Sequence, residues 1–239
     1  MLRGPQSAKV DLSFSIPSEC ARDVEQDKAE VGLVPVVEIA RQELEIVPGV
    51  GICCLGAVRS ILLFSRVPWN EIRTLAADHG SRTSVELARI ILRERYGVEP
   101  RITHERPVLH EMLLHSDAAL VIGDPALQLE PADLPFEWLD LGAEWFRLTQ
   151  LPFVFAAWAG KPGIAVSSLV GITVESHLFG QAYLNEIIEH EFAPRGISRE
   201  LTQCYLTKHI QFTIGGAEQC GLEAFLELAD LRRSLVARI

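Results

Sequence analysis

The sequence has few basic residues relative to acidic ones, and it lacks a long apolar run. It contains 22 lysines and arginines against 32 aspartates and glutamates, so the formal net charge is −10. This charge argues against a general affinity for nucleic acid or for anionic membrane surfaces. No run is long enough for a membrane span, and the first residues do not resemble a signal peptide. We therefore expect a soluble cytoplasmic protein with no nucleic-acid or membrane partner.

Cysteines and histidines are also sparse and unpatterned. The five cysteines form no CxxC pair, and the seven histidines form no pair at metal-binding spacing. This usage favours a reducing compartment and indicates neither a disulfide framework nor a zinc site. We expect no metal.

Residues 78–84, Asp-His-Gly-Ser-Arg-Thr-Ser, are the most informative segment. They follow an apolar run at residues 72–77 and precede a helical pattern that ends near Tyr96, which predicts a strand, a turn and a helix. A helix start carries unpaired N–H groups and the positive end of the dipole, and it can bind a carboxylate or a phosphate. Alternatively, Thr83 and Glu86 form a capping box and Arg82 pairs with Asp78.

The segment lies in a series of alternating strands and helices. The predicted strands are residues 72–77, 101–104 and 118–122, with helices at residues 84–96 and 108–115 between them. Such alternation is typical of a parallel sheet covered by helices, in which ligands bind beyond the carboxyl ends of the strands. Gly123 and Asp124 follow the third strand and should lie beside residues 78–84. Asp124 could instead cap the turn that begins with Pro125.

Earlier apolar segments give weaker predictions. Leu12, Phe14 and Ile16 alternate as in a strand, whereas residues 52–64 are too long for one strand and suggest two strands or a crossing between lobes. Pro35 interrupts an apolar run, and Glu38 follows it, as expected at the end of a strand. Pro35 and Glu38 are therefore candidates for a site wall or for an ordinary solvated strand end.

Several segments together resemble the chorismate dehydratase family of the futalosine route to menaquinone. They are Leu33-Val34-Pro35 with Glu38, Val121-Ile122-Gly123-Asp124, and residues 56–65, 80–84, 140–145 and 151–156. The resemblance implies an α/β, two-lobed fold like that of type II periplasmic binding proteins, each lobe a mainly parallel sheet flanked by helices. Residues 1–65 and 160–239 would form the first lobe, and residues 66–159 the second.

The resemblance also implies a function. Family members remove water from chorismate, a small dicarboxylate, to give 3-[(1-carboxyvinyl)oxy]benzoate without a metal or an organic cofactor. The implied catalytic residues are Ser81, Asp124 and Glu38. The implied substrate-binding residues are Ser81, Arg82, Thr83, Ser84, Gly123, Pro35, Pro152 and Phe153. The sequence does not indicate an oligomeric state.

Some features depart from the family pattern and leave alternatives open. The sequence lacks the family's N-terminal strand with its Ser-Tyr-Leu-Asn-like turn, and it has His79 where a small or polar residue is usual. Gln150 replaces a usual glycine, so we expect a different turn there. The alternatives are a non-catalytic binding protein for a carboxylated metabolite and the related enzyme that cleaves cyclic dehypoxanthinyl futalosine. A regulator's ligand domain is disfavoured because no helix-turn-helix precedes the lobes.

Overall fold

The computed structural model of the protein describes residues 4–78, 82–164 and 166–231. The strands are β1 (Val31–Pro35), β2 (Glu45–Cys54), β3 (Ile61–Ser65), β4 (Thr74–Ala77), β5 (Arg101–His104), β6 (Ala118–Ile122), β7 (Glu137–Asp140), β8 (Phe153–Gly160) and β9 (Gln211–Ile214). The helices are α1 (Pro17–Glu25), α2 (Val36–Arg41), α3 (Arg82–Tyr96), α4 (Leu109–His115), α5 (Asp124–Leu127), α6 (Leu141–Thr149), α7 (Val166–Ala182), α8 (Leu184–Glu191), α9 (Arg199–Cys204) and α10 (Gly216–Leu228). A π-helical turn, Tyr205–His209, extends α9.

The first sheet has the strand order β1-β8-β2-β9, and each of its neighbouring pairs is antiparallel. The prediction of a mainly parallel sheet is wrong here. Strand β8, on which the chain returns from the second sheet, lies between β1 and β2 and runs opposite to both. Those two strands therefore do not bond to each other.

The second sheet has the order β5-β4-β6-β3-β7 and is mixed. Strand β4 pairs in parallel with β5 and β6, and helices α3 and α4 make the crossovers that such pairs require. Strand β3, on which the chain enters this sheet, pairs in antiparallel fashion with β6 and β7. The parallel prediction holds only for the alternating half of this sheet.

The strand pairings divide the chain at places that differ from the predicted lobe boundaries. Strand β3 belongs to the second sheet, although its residues were assigned to the first lobe. Nearly all of β8 was assigned to the second lobe, yet it pairs in the first sheet. The apolar tract at residues 52–64 thus contributes to two strands in different sheets, because the chain crosses between the sheets at residues 55–60.

One predicted strand is wrong, and one observed strand was not predicted. Residues 10–16 form no strand, and the side chains of Phe14 and Ile16 are 75% and 53% exposed, so the alternating face is not buried against a sheet. Strand β9 (Gln211–Ile214), which the sequence did not predict, follows the π-helical turn and pairs with β2. In both segments the outcome depends on whether a strand edge is present to satisfy the backbone.

Gln150 adopts the left-handed conformation that the sequence led us to doubt, with φ of 60°. Its backbone N–H and its side-chain amide both donate to the carbonyl of Phe146, each at 2.9 Å. These two bonds close the last turn of α6, so the glutamine serves as the helix C-cap in place of a glycine. The expectation that a glutamine would avoid a positive φ at this position is therefore wrong.

An aromatic cluster joins α6, β8 and α10 in the core. The rings of Phe153 and Trp145 lie 5.2 Å apart, and the ring of Phe225 lies 5.0 Å from that of Phe153. Gly221 is required beside them, because a Cβ atom there would lie 2.0 Å from the carbonyl oxygen of Pro152. This packing fixes the segment through which the chain returns to the first sheet.

Candidate functional site

Two parallel strands end at one edge of the second sheet. Strands β4 and β6 are parallel neighbours, with Ala77 paired to Leu120, so both strands end at the same edge. The start of α3 follows β4, and Gly123 and Asp124 follow β6. Neighbouring strands lie about 4.8 Å apart, so the ends of β4 and β6 lie side by side. Residues 79–81 of the first turn lie outside the described residues, and the convergence of the two turns stays a prediction.

The start of α3 contacts α2, the helix that follows strand β1 of the first sheet. The hydroxyl oxygen of Thr83 accepts a bond of 3.4 Å from the backbone N–H of Val37 on α2, and both Thr83 and Ser84 are buried. Because α3 begins at Arg82, Thr83 lies inside the first turn, and its predicted role as the cap of a capping box is wrong. The candidate Ser81, together with His79 and Gly80, lies outside the described residues.

Glu38 connects α2 to α3 through ion pairs. Its Oε1 atom lies 2.9 Å from Nη1 of Arg82 and 3.1 Å from Nη1 of Arg41. Its Oε2 atom accepts a bond of 3.4 Å from the amide of Gln42. The Glu38 side chain is only 6% exposed, so it is a buried carboxylate that orients two arginines. Arg82 therefore pairs with Glu38 and not with Asp78, the partner that the sequence suggested.

A cavity of about 530 Å³ opens beside the start of α3 and extends over β5. Four arginines line it, Arg41, Arg82, Arg89 and Arg101, together with the carboxylates of Asp78 and Glu86. In a chain with a net charge of −10, this is a local basic environment of the kind that an anionic ligand needs.

Two other cavities differ in charge. A cavity of about 490 Å³ beside α5 is lined by Asp124 and Glu191, and Arg195 is the single lysine or arginine in the part of its wall that the structure describes. A cavity of about 850 Å³ between α7 and β9 has Glu218 in its wall and neither lysine nor arginine among its described lining residues. Of these three cavities, the one at the start of α3 is therefore the best suited to a dicarboxylate.

The turn after β6 is held by residues from distant parts of the chain. Gly123 has a φ of +67°, and its N–H donates to the carbonyl of Ser60 at 2.8 Å. The carboxylate of Asp124 accepts a bond of 2.8 Å from Nη1 of Arg195. This bond is the largest cause of the raised pKa of the Arg195 guanidinium. Asp124 is therefore fixed in orientation by a charge-assisted bond.

Tyr205 stands beside this turn. Its hydroxyl donates to Oγ of Ser60 at 3.0 Å, and its ring lines the same cavity as Asp124. Burial raises the pKa of Tyr205 above its ordinary value, although the bond to Ser60 acts in the opposite direction. The phenol therefore stays protonated and able to donate at neutral pH.

Asp140 fixes the segment that crosses between the sheets. Its buried carboxylate accepts bonds from the backbone N–H groups of Val58 at 3.0 Å and Arg59 at 2.6 Å, and it caps α6 through Ala143 at 3.0 Å. The guanidinium of Arg59 donates in turn to carbonyls at the end of α5. Hydrogen bonds thus join the crossing segment to α5.

We expect Asp140→Ala to lower the free energy of unfolding by about 2 kcal/mol, because it leaves buried backbone donors without an acceptor. Urea denaturation measures the change. Asp133→Ala removes an exposed carboxylate from the neighbouring turn and is the matched control. Equal stabilities of the two variants would contradict the role that we assign to Asp140.

The remaining predicted site residues lie within packed structure. Pro35 ends β1, pairs with Ala156 and is buried. The carbonyl of Pro152 accepts the indole N–H of Trp145 at 3.0 Å, and Phe153 is fully buried in the aromatic cluster. These contacts give Pro152 and Phe153 structural roles, whereas Arg82, Thr83 and Ser84 lie at the sheet edge.

The sequence did not single out three residues that the fold brings to this edge. Arg41 reaches the start of α3 from α2, and Arg195 and Tyr205 come from the C-terminal helices. A lone arginine carries no pattern, and a tyrosine in a helix is ordinary. The π-helical turn at Tyr205 is a feature often found at functional sites, but it is visible only in the structure.

Within the described residues, no group of three or more histidine, cysteine, aspartate or glutamate side chains could hold a metal ion. No helix in the part of the chain that the structure describes combines the length and apolarity needed to cross a membrane.

Comparison with known proteins identifies the family. A family model described as "Menaquinone biosynthesis" matches residues 2–230. The chain belongs to this menaquinone biosynthesis family. A curated relative, the chorismate dehydratase of Thermus thermophilus, is 29% identical over 91% of this chain and 86% of its own. The family resemblance inferred from the sequence motifs is thereby confirmed.

Solved structures support the fold of this family member. A crystal structure of an Archaeoglobus fulgidus protein is similar with a TM-score of 0.71 and 17% identity, covering 94% of this chain and 89% of the other. A Candida albicans protein described as having the generic periplasmic binding protein fold gives a TM-score of 0.55 and 12% identity, covering 95% and 82%. The prediction of a periplasmic-binding-protein-like α/β fold is confirmed.

Proposed function

We propose that this protein is a lyase that removes water from chorismate to give 3-[(1-carboxyvinyl)oxy]benzoate, as a step of menaquinone biosynthesis in the cytoplasm. Membership of the family carries the proposal, and the name of the Thermus thermophilus relative supports it. The structure contributes a physical reason, because the cavity at the start of α3 suits a small molecule with two carboxylates.

Binding of the substrate would use the start of α3. Arg82 and Arg41 come from different lobes and share the buried anion Glu38, so both guanidinium groups are held in place before a ligand arrives. A guanidinium presents parallel N–H donors that match a carboxylate, and the first backbone amides of the helix add to them. We assign carboxylate binding to Arg82 and to the hydroxyls of Ser81 and Ser84, with Thr83 fixing the helix against α2.

The reaction itself demands little of the protein beyond orientation and proton handling. A proton leaves the ring carbon that bears the ether oxygen, and the neighbouring carbon loses its hydroxyl, which departs as water with a second proton. The ring becomes aromatic, so the driving force is large, and holding the ring against a base is the main task. Asp124 lines the separate cavity beside α5 and is the proposed group for proton handling, which requires the bound substrate to extend from the start of α3 to the turn after β6.

The test is turnover of chorismate by the purified protein, followed by liquid chromatography and mass spectrometry. We expect a product that has lost one water and is aromatic by its ultraviolet spectrum. Asp124→Asn should lower kcat about 100-fold or more if the carboxylate handles a proton. Asp133→Asn, at an exposed position in the next turn, is the matched control and should retain activity.

Other outcomes would identify other functions. Calorimetry that shows chorismate binding to a folded protein without chemical change would indicate a binding protein. Cleavage of cyclic dehypoxanthinyl futalosine without action on chorismate would indicate the sister enzyme of the pathway. A folded protein that neither binds nor converts either compound would overturn the proposal.

A further inference from the structure

Helix α5, which begins with Asp124, depends on residues outside it for its position. It has only four residues, and such a short helix is not stable by itself in water. The residue before it, Gly123, has no side chain that could cap it and adopts a positive φ with open space around its Cα. The orientation of the Asp124 carboxylate must therefore be fixed by contacts from other elements.

One residue between α8 and α9 contacts both ends of this short helix. The guanidinium of Arg195 binds the carboxylate of Asp124 at the start of α5, at 2.8 Å. The backbone carbonyl of Arg195 accepts a bond of 2.7 Å from the side-chain amide of Gln128, at the end of α5. The same guanidinium lies 3.2 Å from Glu191 on α8, so the arginine is itself held by the helix that precedes it.

A second contact from the C-terminal helices reaches the same turn through Ser60. The Tyr205 hydroxyl donates to the side-chain oxygen of Ser60, and the Ser60 carbonyl accepts the N–H of Gly123. Ser60 is buried, so these bonds are shielded from competing water. Arg195 and Tyr205 therefore restrain the turn from two sides.

We propose that Arg195 and Tyr205 are positioning residues for the reaction, which hold the turn of Gly123 and Asp124 after β6 in the wall of the cavity that Asp124, Arg195 and Tyr205 line. They act through Asp124 and Ser60. The inference rests on the proposed function for its link to catalysis, and on geometry alone for the restraint of the turn.

Kinetics with chorismate test the link to catalysis. Arg195→Ala should lower kcat about 10-fold to 100-fold and change KM less than about 3-fold, because a displaced Asp124 affects proton handling more than carboxylate binding. Arg195→Lys keeps the charge next to Asp124 and should recover a large part of the loss. Arg199→Ala is the matched control, because Arg199 pairs with Glu189 on the same helices and does not contact the turn. A wild-type kcat for Arg195→Ala would overturn the proposal.

Hydrogen exchange tests the restraint without using activity. The backbone amides of residues 123, 124 and 126–128 should exchange about 10-fold faster in Arg195→Ala, because removing a charge-assisted bond makes local opening easier. Tyr205→Phe, which keeps the ring and the fold, should accelerate exchange at Gly123, whereas Arg199→Ala should change neither. Unchanged exchange in both test variants would overturn the proposal even if the wild type is active. Faster exchange in a protein that does not turn over chorismate would instead overturn the proposed function alone.

Discussion

Replacing Arg82 with alanine is expected to lower kcat/KM for chorismate about 10-fold to 100-fold, mainly by raising KM. The guanidinium at the start of α3 would lose a charge-assisted bond to a substrate carboxylate, and such bonds contribute about 1.5–3 kcal/mol. Arg82→Lys should give an intermediate value, because it keeps the charge but loses the planar fork. Steady-state kinetics on the three proteins measure the effect.

A structural role for Arg82 would give a different result. The arginine already pairs with buried Glu38, so its loss could weaken the contact between α2 and α3 without affecting the substrate. Glu38 would keep Arg41 and Gln42 as partners, and we expect the variant to fold. Arg73→Ala is the control, because Arg73 is exposed at the opposite end of β4. A loss of stability in urea with an unchanged KM would show that Arg82 is only structural.

Replacing Phe153 with alanine is expected to lower the free energy of unfolding by about 3–5 kcal/mol, as is typical when a large aromatic side chain is removed from a core. Phe153 is fully buried, and its ring lies 4.6 Å from that of Phe155 and 5.0 Å from that of Phe225. The cavity left behind would lie between α6, β8 and α10. These elements are held by other contacts and cannot move together to fill it. Urea denaturation measures the loss.

Phe14→Ala is the matched control for this prediction, because the side chain of Phe14 is 75% exposed and its removal should change stability by less than about 0.5 kcal/mol. The milder Phe153→Leu separates the core role from the substrate-binding role that the family resemblance implied. A rise in KM in this variant, with little loss of stability, would favour contact with the substrate.

The local pattern of the sequence was sufficient for the alternating part of the second sheet. The predicted strands at residues 101–104 and 118–122 coincide with β5 and β6, and the predicted helix start near Ser84 lies within two residues of the start of α3. These elements are determined by periodicity and by turn residues, which are local properties. The ends of β4 and β6 could therefore be placed at one edge without a structure.

Strand direction and edge pairing could not be obtained in the same way. The alternation at residues 10–16 is typical of a strand, yet this segment forms none, while Gln211–Ile214 pairs with β2 after a helical pattern. A strand exists only where another strand satisfies its backbone, and that partner is remote in sequence. The antiparallel order of the first sheet has the same origin, because β8 arrives from the second sheet.

The sequence alone determined the family, the alternating units and the hydroxyl-rich helix start with its arginine. Only the tertiary structure decided which charges meet there. It paired Arg82 with Glu38, and it joined Arg195 to Asp124 across 71 residues of sequence. Helix starts and strand ends are encoded by neighbouring residues, whereas an ion pair between distant segments forms only after packing has excluded the other conformations of the chain.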